Sequence, residues 1–377
     1  MAEPECRGCG STSLRTVVDL GDVAASDAFP ARDDPAEDPT WPLTLALCEA
    51  CHLVQLGPTD AAAPEPPTAV ESATSLAHAV ESARAVVADE NLGPGATVIE
   101  VDSHHGGSWL DEFARLGLHP QPGEETADLV VDVHAIAHEP YLGGPLDAHI
   151  ARLAPGGRLV LEFHHLLPLV EQSQIDTIRH GHWVYLSALA LQSLLERRGL
   201  VITRAIATPS FGGSLRLTAM RAQDAKNVEP SVAQVLADER AAGLDDADAL
   251  GELGRRGRDR AAALHRHLAE AAAAGRSVAG YGAPSKAAVL LALADVGTDL
   301  LPYTVDLSPA KHGCRVPGVG VPILPVETLL ERLPDEVVVL TWDIADEIVG
   351  QLAAQAPPGW DPDVYVPMPQ PRTLRLR

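Results

Sequence analysis

Apolar residues along this chain fall in short runs whose period changes from region to region. Residues 1–57 end in the strand-like Leu53-Val54-Gln55-Leu56. Residues 58–68, rich in alanine and proline from Ala61 to Pro67, read as a linker. It leads into residues 69–92, where apolar side chains recur three and four apart, the spacing of an amphipathic helix. The Gly93-Pro94-Gly95 turn opens an α/β region that runs to residue 222. Ala96–Val101 reads as a strand, Asp102–Gly107 as a glycine-bearing turn and Ser108–Leu116 as a helix. Further strands are expected at Ala127–Val133 and Arg158–Phe163. Such a strand, turn and helix form the first unit of a doubly wound sheet, which takes ligands at the carboxyl ends of its strands. Residues 223–275 are rich in Ala, Arg and Glu and keep helical spacing, with almost no turn residues after Gly257. From 276 to 377 strands and helices alternate again, with strands at Ser277–Tyr281, Tyr303–Asp306 and Val337–Thr341.

Composition narrows the function classes. At 377 residues the chain suggests two or three domains. Hydrophobic residues make up 46% but aromatic ones only 4%, so the cores must be built mostly from Ala, Leu and Val. The formal net charge of −24 argues against nucleic acid and against an anionic membrane surface, though not against a small anion held in a local basic pocket. No run of eighteen apolar residues predicts a membrane span, and the polar, acidic N-terminus does not read as a signal peptide.

Cysteine supplies the strongest chemical signal. Cys6 and Cys9 form one Cys-x-x-Cys pair, Cys48 and Cys51 a second. Two such turns present four thiolates to one zinc ion, and four protein ligands leave no position for water, so the site reads as structural. A redox pair would precede a helix in a βαβ unit, which neither pair does. With four cysteines on metal and Cys314 unpaired, a reducing cytoplasm is expected.

The motifs then line up in order. At the front, the first cysteine pair is followed by Asp19-Leu20-Gly21, Trp41-Pro42-Leu43, the second pair and Val54-Gln55-Leu56. In the middle come Glu162-Phe163-His164-His165, the run Asp176–His182, and Gly212-Gly213-Ser214-Leu215-Arg216. At the back come Gly280-Tyr281-Gly282-Ala283-Pro284-Ser285-Lys286, Asp306, Lys311-His312-Gly313 and Pro317-Gly318. Nearly end to end, this set resembles the sugar C-methyltransferases that act on nucleotide-linked deoxy-keto-sugars in natural-product pathways. The Leu153–Gly157 turn before a late strand is likewise typical of the class I methyltransferase sheet. The resemblance implies an α/β fold in three parts: an N-terminal zinc ribbon, a central class I methyltransferase-like Rossmann domain and a C-terminal Rossmann-like domain. It also implies a substrate, a dTDP-linked deoxy-sugar with a 4-ketone. Deprotonation beside that ketone gives an enolate, which takes a methyl from S-adenosylmethionine. The family's base matches His182, within Arg179-His180-Gly181-His182, and its second histidine matches His138. Imidazole titrates near neutrality, so either residue type suits proton transfer.

Departures from the family are equally specific. Its Glu-x-Gly-Ser-Asn-Asp-Gly loop is here Glu100-Val101-Asp102-Ser103-His104-His105-Gly106, so Glu100, Asp102, Ser103 and Gly106 are the cofactor-binding positions that remain. The chain then runs from Leu116-Gly117-Leu118-His119-Pro120 almost directly to Glu124-Glu125-Thr126-Ala127-Asp128, which omits the segment forming the adenosine wall. The tyrosine and glutamate of the family's Tyr-His-Glu-His are replaced by Arg179 and Gly181. Arg179 beside a histidine base lowers its basicity and suits an anionic oxygen. At the back, Tyr281, Lys286, Lys311 and Arg315, with Arg216 from the middle, are expected to hold the nucleotide diphosphate near a helix N-terminus. Three outcomes stay open: methyl transfer, an isomerase, epimerase or ring-rearranging mutase that uses the same histidine without a methyl donor, and a non-catalytic partner of an active sugar enzyme.

Overall fold

The computed structural model describes residues 4–61, 71–101, 107–121 and 125–376. The chain opens with strands β1 (Leu14–Ala24), β2 (Thr40–Cys48) and β3 (Val54–Leu56), followed by helix α1 (Ala73–Asp89). The middle region comprises β4 (Thr97–Val101), α2 (Leu110–Arg115), β5 (His119–Pro120), β6 (Ala127–Val133), α3 (Gly143–Ala151), β7 (Leu153–His164), α4 (Leu166–Glu171), β8 (Val184–Tyr185), α5 (Ala188–Glu196), β9 (Leu200–Thr208) and β10 (Ser214–Arg221). Helices α6 (Pro230–Ala241) and α7 (Ala247–Ala273) connect it to the last region. There β11 (Val278–Tyr281), α8 (Ser285–Leu293), β12 (Thr304–Asp306), β13 (Ile323–Pro325), α9 (Glu327–Arg332), β14 (Glu336–Val339), α10 (Ala345–Gln355), β15 (Asp363–Val366) and β16 (Arg372–Arg375) follow.

Three sheets result. The middle one has the order β5-β4-β6-β7-β10-β9, parallel from β5 to β7, with β10 antiparallel to both of its neighbours. The last has the order β13-β12-β11-β14-β15-β16, parallel except for β16. The chain is therefore α/β with two doubly wound sheets, and no helix among the described residues is long and apolar enough to cross a membrane.

The N-terminal sheet is not self-contained. Its order is β1-β2-β3-β8, and β8 comes from the middle region, immediately after His182 and Trp183. One hydrophobic cluster accordingly runs from Cys6, Leu45 and Leu53 through to Leu161, Phe163 and Leu191. A boundary at residue 57 thus separates chain segments and not cores. The last region has a core of its own around Val305, Val338 and Val364. Polar links, among other contacts, join it to the rest. Trp342 Nε1 donates to Asp176 Oδ2 (2.7 Å), and Glu347 accepts from the first amides of α1, Ala73 N (3.2 Å) and Thr74 N (3.0 Å). At the other edge of the middle sheet, β5 is only two residues long, so among the described residues the sheet ends there.

Candidate functional site

The four cysteines converge as their spacing requires. Cys6 Sγ lies 3.6 Å from Cys51 Sγ and Cys9 Sγ 3.7 Å from Cys48 Sγ, with all four sulfurs within 4.8 Å of one another. A tetrahedral zinc with bonds of about 2.3 Å separates its sulfurs by about 3.8 Å, whereas a disulfide brings them to about 2.05 Å. The residues therefore fit a zinc ion and not disulfides. A metal here would tie the turn at Cys6 to the β2–β3 corner and, through β3, to β8.

The second centre lies at the carboxyl ends of β6 and β7, where a doubly wound sheet binds ligands. His134 follows β6, His164 ends β7, and His138 and His182 come in from the segments beyond. The rings of His138 and His182 are 4.6 Å apart, those of His134 and His164 4.8 Å, and those of His164 and His182 6.0 Å, so the four imidazoles form one cluster at this end of the sheet. Phe211 packs edge-on against His134 and His164.

His182 is held from behind. Asp27 Oδ2 accepts from Arg179 NH1 (2.6 Å), and Arg179 NH2 lies 2.7 Å from His182 Nε2, with all three residues buried. Guanidinium only donates, so Nε2 of His182 carries a lone pair and Nδ1 the proton. Nε2 of His182 is thus held by Arg179. His180 is turned away from this group. Its Nε2 donates to the Pro42 carbonyl (3.2 Å), its ring packs on Trp41, and burial holds it below the usual histidine range.

On the far side of the cleft Glu162 is fully buried, 2.5 Å from His78 Nε2 and 3.7 Å from His134 Nε2. Burial alone would raise its pKa. The two imidazoles outweigh that and bring it to about 2. Arg216 faces the same carboxylate at 3.9 Å and Asp89 at 3.6 Å, so it balances buried charge within the sheet and does not stand open to an anion.

The groups expected to grip the diphosphate have internal partners in this structure. Ala283 N at the glycine turn donates to Asp306 Oδ2 (2.7 Å), and Ser285 Oγ at the start of α8 donates to Asp27. Lys286 pairs with Asp343 (2.5 Å) over the Trp342 ring. Lys311 donates to the Ala283 carbonyl (2.8 Å) above Phe29, and burial lowers its pKa. Arg315 pairs with Asp38. Burial pushes the Tyr281 phenol up to about 12, and its hydroxyl meets Gln351 (3.3 Å). In so acidic a chain, each cation read as a phosphate ligand has found an internal partner.

On the cofactor side, Asp102, Ser103 and Gly106 lie outside the described residues. Glu100 accepts from Trp109 N (2.7 Å) and from Ser108 Oγ, and so anchors the start of α2. Sequence reasoning passed over His78, His134, Ser210 and Asp27. His134 was findable, since it directly follows a predicted strand. Asp27 had no local signal, because its partners are more than a hundred residues away.

The family model described as "C-methyltransferase C-terminal domain" matches residues 209–369, and a zinc-binding-domain model of the same methyltransferase series matches residues 6–63. C-methyltransferase NovU of Streptomyces niveus is 28% identical over 98% of this chain and 96% of its own length. Among solved structures, the SAH-bound magnesium protoporphyrin IX methyltransferase of Synechocystis PCC 6803 is 16% identical over 39% of this chain and 86% of its own, with a TM-score of 0.29. A SAM-dependent methyltransferase of Thermotoga maritima is 12% identical over 39% of this chain and 91% of its own, at 0.28. Its front and back segments thus match these models, and a C-methyltransferase is similar to it over almost its whole length.

Proposed function

We propose that the cleft deprotonates a keto-sugar at the carbon beside its ketone and returns a proton to the enolate. The observation that carries this reading is the buried chain Asp27–Arg179–His182. As the C–H bond breaks, charge builds on the ketone oxygen. A preorganised donor aimed at that oxygen is worth about 3–4 kcal/mol in a water-poor site. His182, fixed with its proton on Nδ1, is such a donor. His138, ring to ring 4.6 Å away, is the residue placed to take the carbon-bound proton. A separate cavity of about 470 Å³ opens where Gly212 and Gly213 meet Trp342 and Arg372, lined by His165 and not by His138 or His182. Its lining includes Glu171 and Asp238, which suit sugar hydroxyls better than phosphates. That the sugar is carried on dTDP rests on the family likeness.

S-adenosylmethionine is the methyl donor of the family's reaction, and the described residues do not complete a site for it. Glu100 anchors the start of α2, and residues 102–106 and 122–124, where the loop and a ribose acid would be sought, lie outside the described residues. We therefore derive no methyl-transfer step, and an isomerase or epimerase of the methyltransferase family is the reading the geometry favours. Methyl transfer remains the second reading, favoured by the match to NovU. NMR of a dTDP-4-keto-6-deoxy sugar in heavy water, with and without SAM, separates them. Exchange beside the ketone in the absence of SAM supports proton transfer. A methylated product together with micromolar SAM binding by calorimetry sinks that reading, and no reaction under either condition identifies a non-catalytic partner.

A further inference from the structure

At the edge of the cleft nearest α1, three side chains from three separate elements line up. Ser210 Oγ lies 2.6 Å from His78 Nδ1, and His78 Nε2 lies 2.5 Å from Glu162 Oε1. An ionised carboxylate only accepts, so Nε2 carries the ring proton, Nδ1 the lone pair, and the Ser210 hydroxyl donates to it. Ser82 Oγ, 3.4 Å from the second oxygen of Glu162, and Arg216 steady the carboxylate. Ser210 is half-buried and so can be reached, whereas Glu162 is fully buried. The three residues after the hydroxyl all have positive φ: Phe211 at 56°, Gly212 at 83° and Gly213 at 118°. A bulky residue holds such a conformation only where its surroundings impose it, and strain of this kind gathers at functional sites. Here the rings of His78, His134 and His164 pin Phe211.

A hydroxyl on an imidazole that is oriented by a buried carboxylate has the parts of an activated nucleophile, recognised by role and geometry and not by chain order. We propose that Ser210 is such a nucleophile and that the cleft carries an acyl-transfer activity toward small carboxylic esters. Ser210 Oγ attacks the ester carbonyl while its proton passes to His78 Nδ1. The tetrahedral intermediate collapses, the bond to the alkoxy oxygen breaks, and the alcohol leaves with the proton from Nδ1. Water, deprotonated by the same nitrogen, then attacks the acyl-enzyme, releasing the carboxylic acid and restoring Ser210. Neither Asp27, Arg179 nor His182 takes part, so the proposal stands apart from the enolate reading.

The test is to treat the full-length protein with a fluorophosphonate probe, without sugar or SAM, and to map the adduct by mass spectrometry. A single adduct on Ser210 is expected. It should be absent in Ser210→Ala, which loses only a half-buried hydroxyl and should melt with the parent. It should form about 100-fold more slowly in His78→Gln, the scale of general-base assistance. Hydrolysis of p-nitrophenyl acetate should fall in parallel. No Ser210 adduct on the folded parent overturns the proposal, as does equal labelling of folded His78→Gln. The three side chains would then serve only to tie α1 to the sheet. If His78→Gln fails to fold, the parent decides alone: selective labelling of Ser210 over the other serines upholds the proposal, and its absence overturns it.

Discussion

Helix α7 passes so close to Ile175 that Gly257 has no room for a side chain. A Cβ there would lie 2.5 Å from Ile175 Cβ and Cγ1 and 2.8 Å from Cδ1. Ile175 is fully buried and its Cβ cannot swing aside, so the backbone of 175–177 must move. In Gly257→Ala two effects oppose each other. Alanine is favoured over glycine inside a helix by about 1 kcal/mol. Overpacking a filled core costs about 1–3 kcal/mol, and a contact more than about 1 Å inside the ordinary 3.5–4.0 Å separation belongs at the upper end. The net loss is about 1–2 kcal/mol, and at about 2–4 °C per kcal/mol Tm should fall by roughly 2–8 °C. Ile175 also begins the segment that carries Asp176, Arg179 and His182. Proton exchange of the keto-sugar at 25 °C, with the variant still folded, should therefore drop by about 10-fold or more, since small misplacements at a reacting centre are costly. Thermal melts and the heavy-water exchange assay read both effects. A variant that melts at or above the parent and exchanges at the parental rate would refute this account of how α7 positions the cleft.

Other perturbations have equally definite outcomes. A zinc chelator should release four thiols to a colorimetric reagent and loosen the β3–β8 pairing, so hydrogen exchange should rise at Val184 and Tyr185 beside His182 as well as in residues 4–57. Unchanged protection at β8 would show that the two parts fold independently. The folded pKa of Glu162 is depressed from 4.5 to about 2, so its contribution is fully present above the unfolded value and is lost as pH falls through about 2. At about 1.4 kcal/mol per pH unit, Glu162 contributes roughly 3 kcal/mol. In Glu162→Gln, denaturant titrations should therefore show a flatter loss of stability from pH 4.5 to 2 than in the parent, and parallel curves would contradict the assignment. Arg179→Met strands the buried Asp27 carboxylate and should cost about 3–5 kcal/mol in urea unfolding, whereas Asp27→Asn in the same chain should recover part of that. A double variant no more stable than Arg179→Met would break the link.

Much of the fold was legible because its signals are local. Ala127–Val133 was read as a strand and is β6, and the turns at Gly95 and Gly282 flank β4 and β11 where the apolar runs place them. The cysteine quartet was legible because ligand spacing is a chemical constraint. The shared N-terminal sheet was not, because β8 is two residues long and gains its strand character only by pairing with β3. The site was half legible. His138 and His182 came from motif order, and their rings do meet. Asp27, the partner of Arg179 beside His182, lies in a stretch with no periodicity. Lys286, Lys311 and Arg315 show their type in the sequence, whereas their pairing with Asp343, the Ala283 carbonyl and Asp38 does not show there.

The central claim, that Arg179 fixes His182 as a hydrogen-bond donor to an enolate and leaves proton abstraction to a neighbouring imidazole, is tested most directly by two substitutions at one position. Solvent-deuterium exchange beside the ketone should survive within about 10-fold in His182→Asn, whose amide N–H stands where Nδ1–H was, and fall by about 100-fold or more in His182→Ala. Equal and complete loss in both variants, with both folded, would show that His182 itself takes the proton.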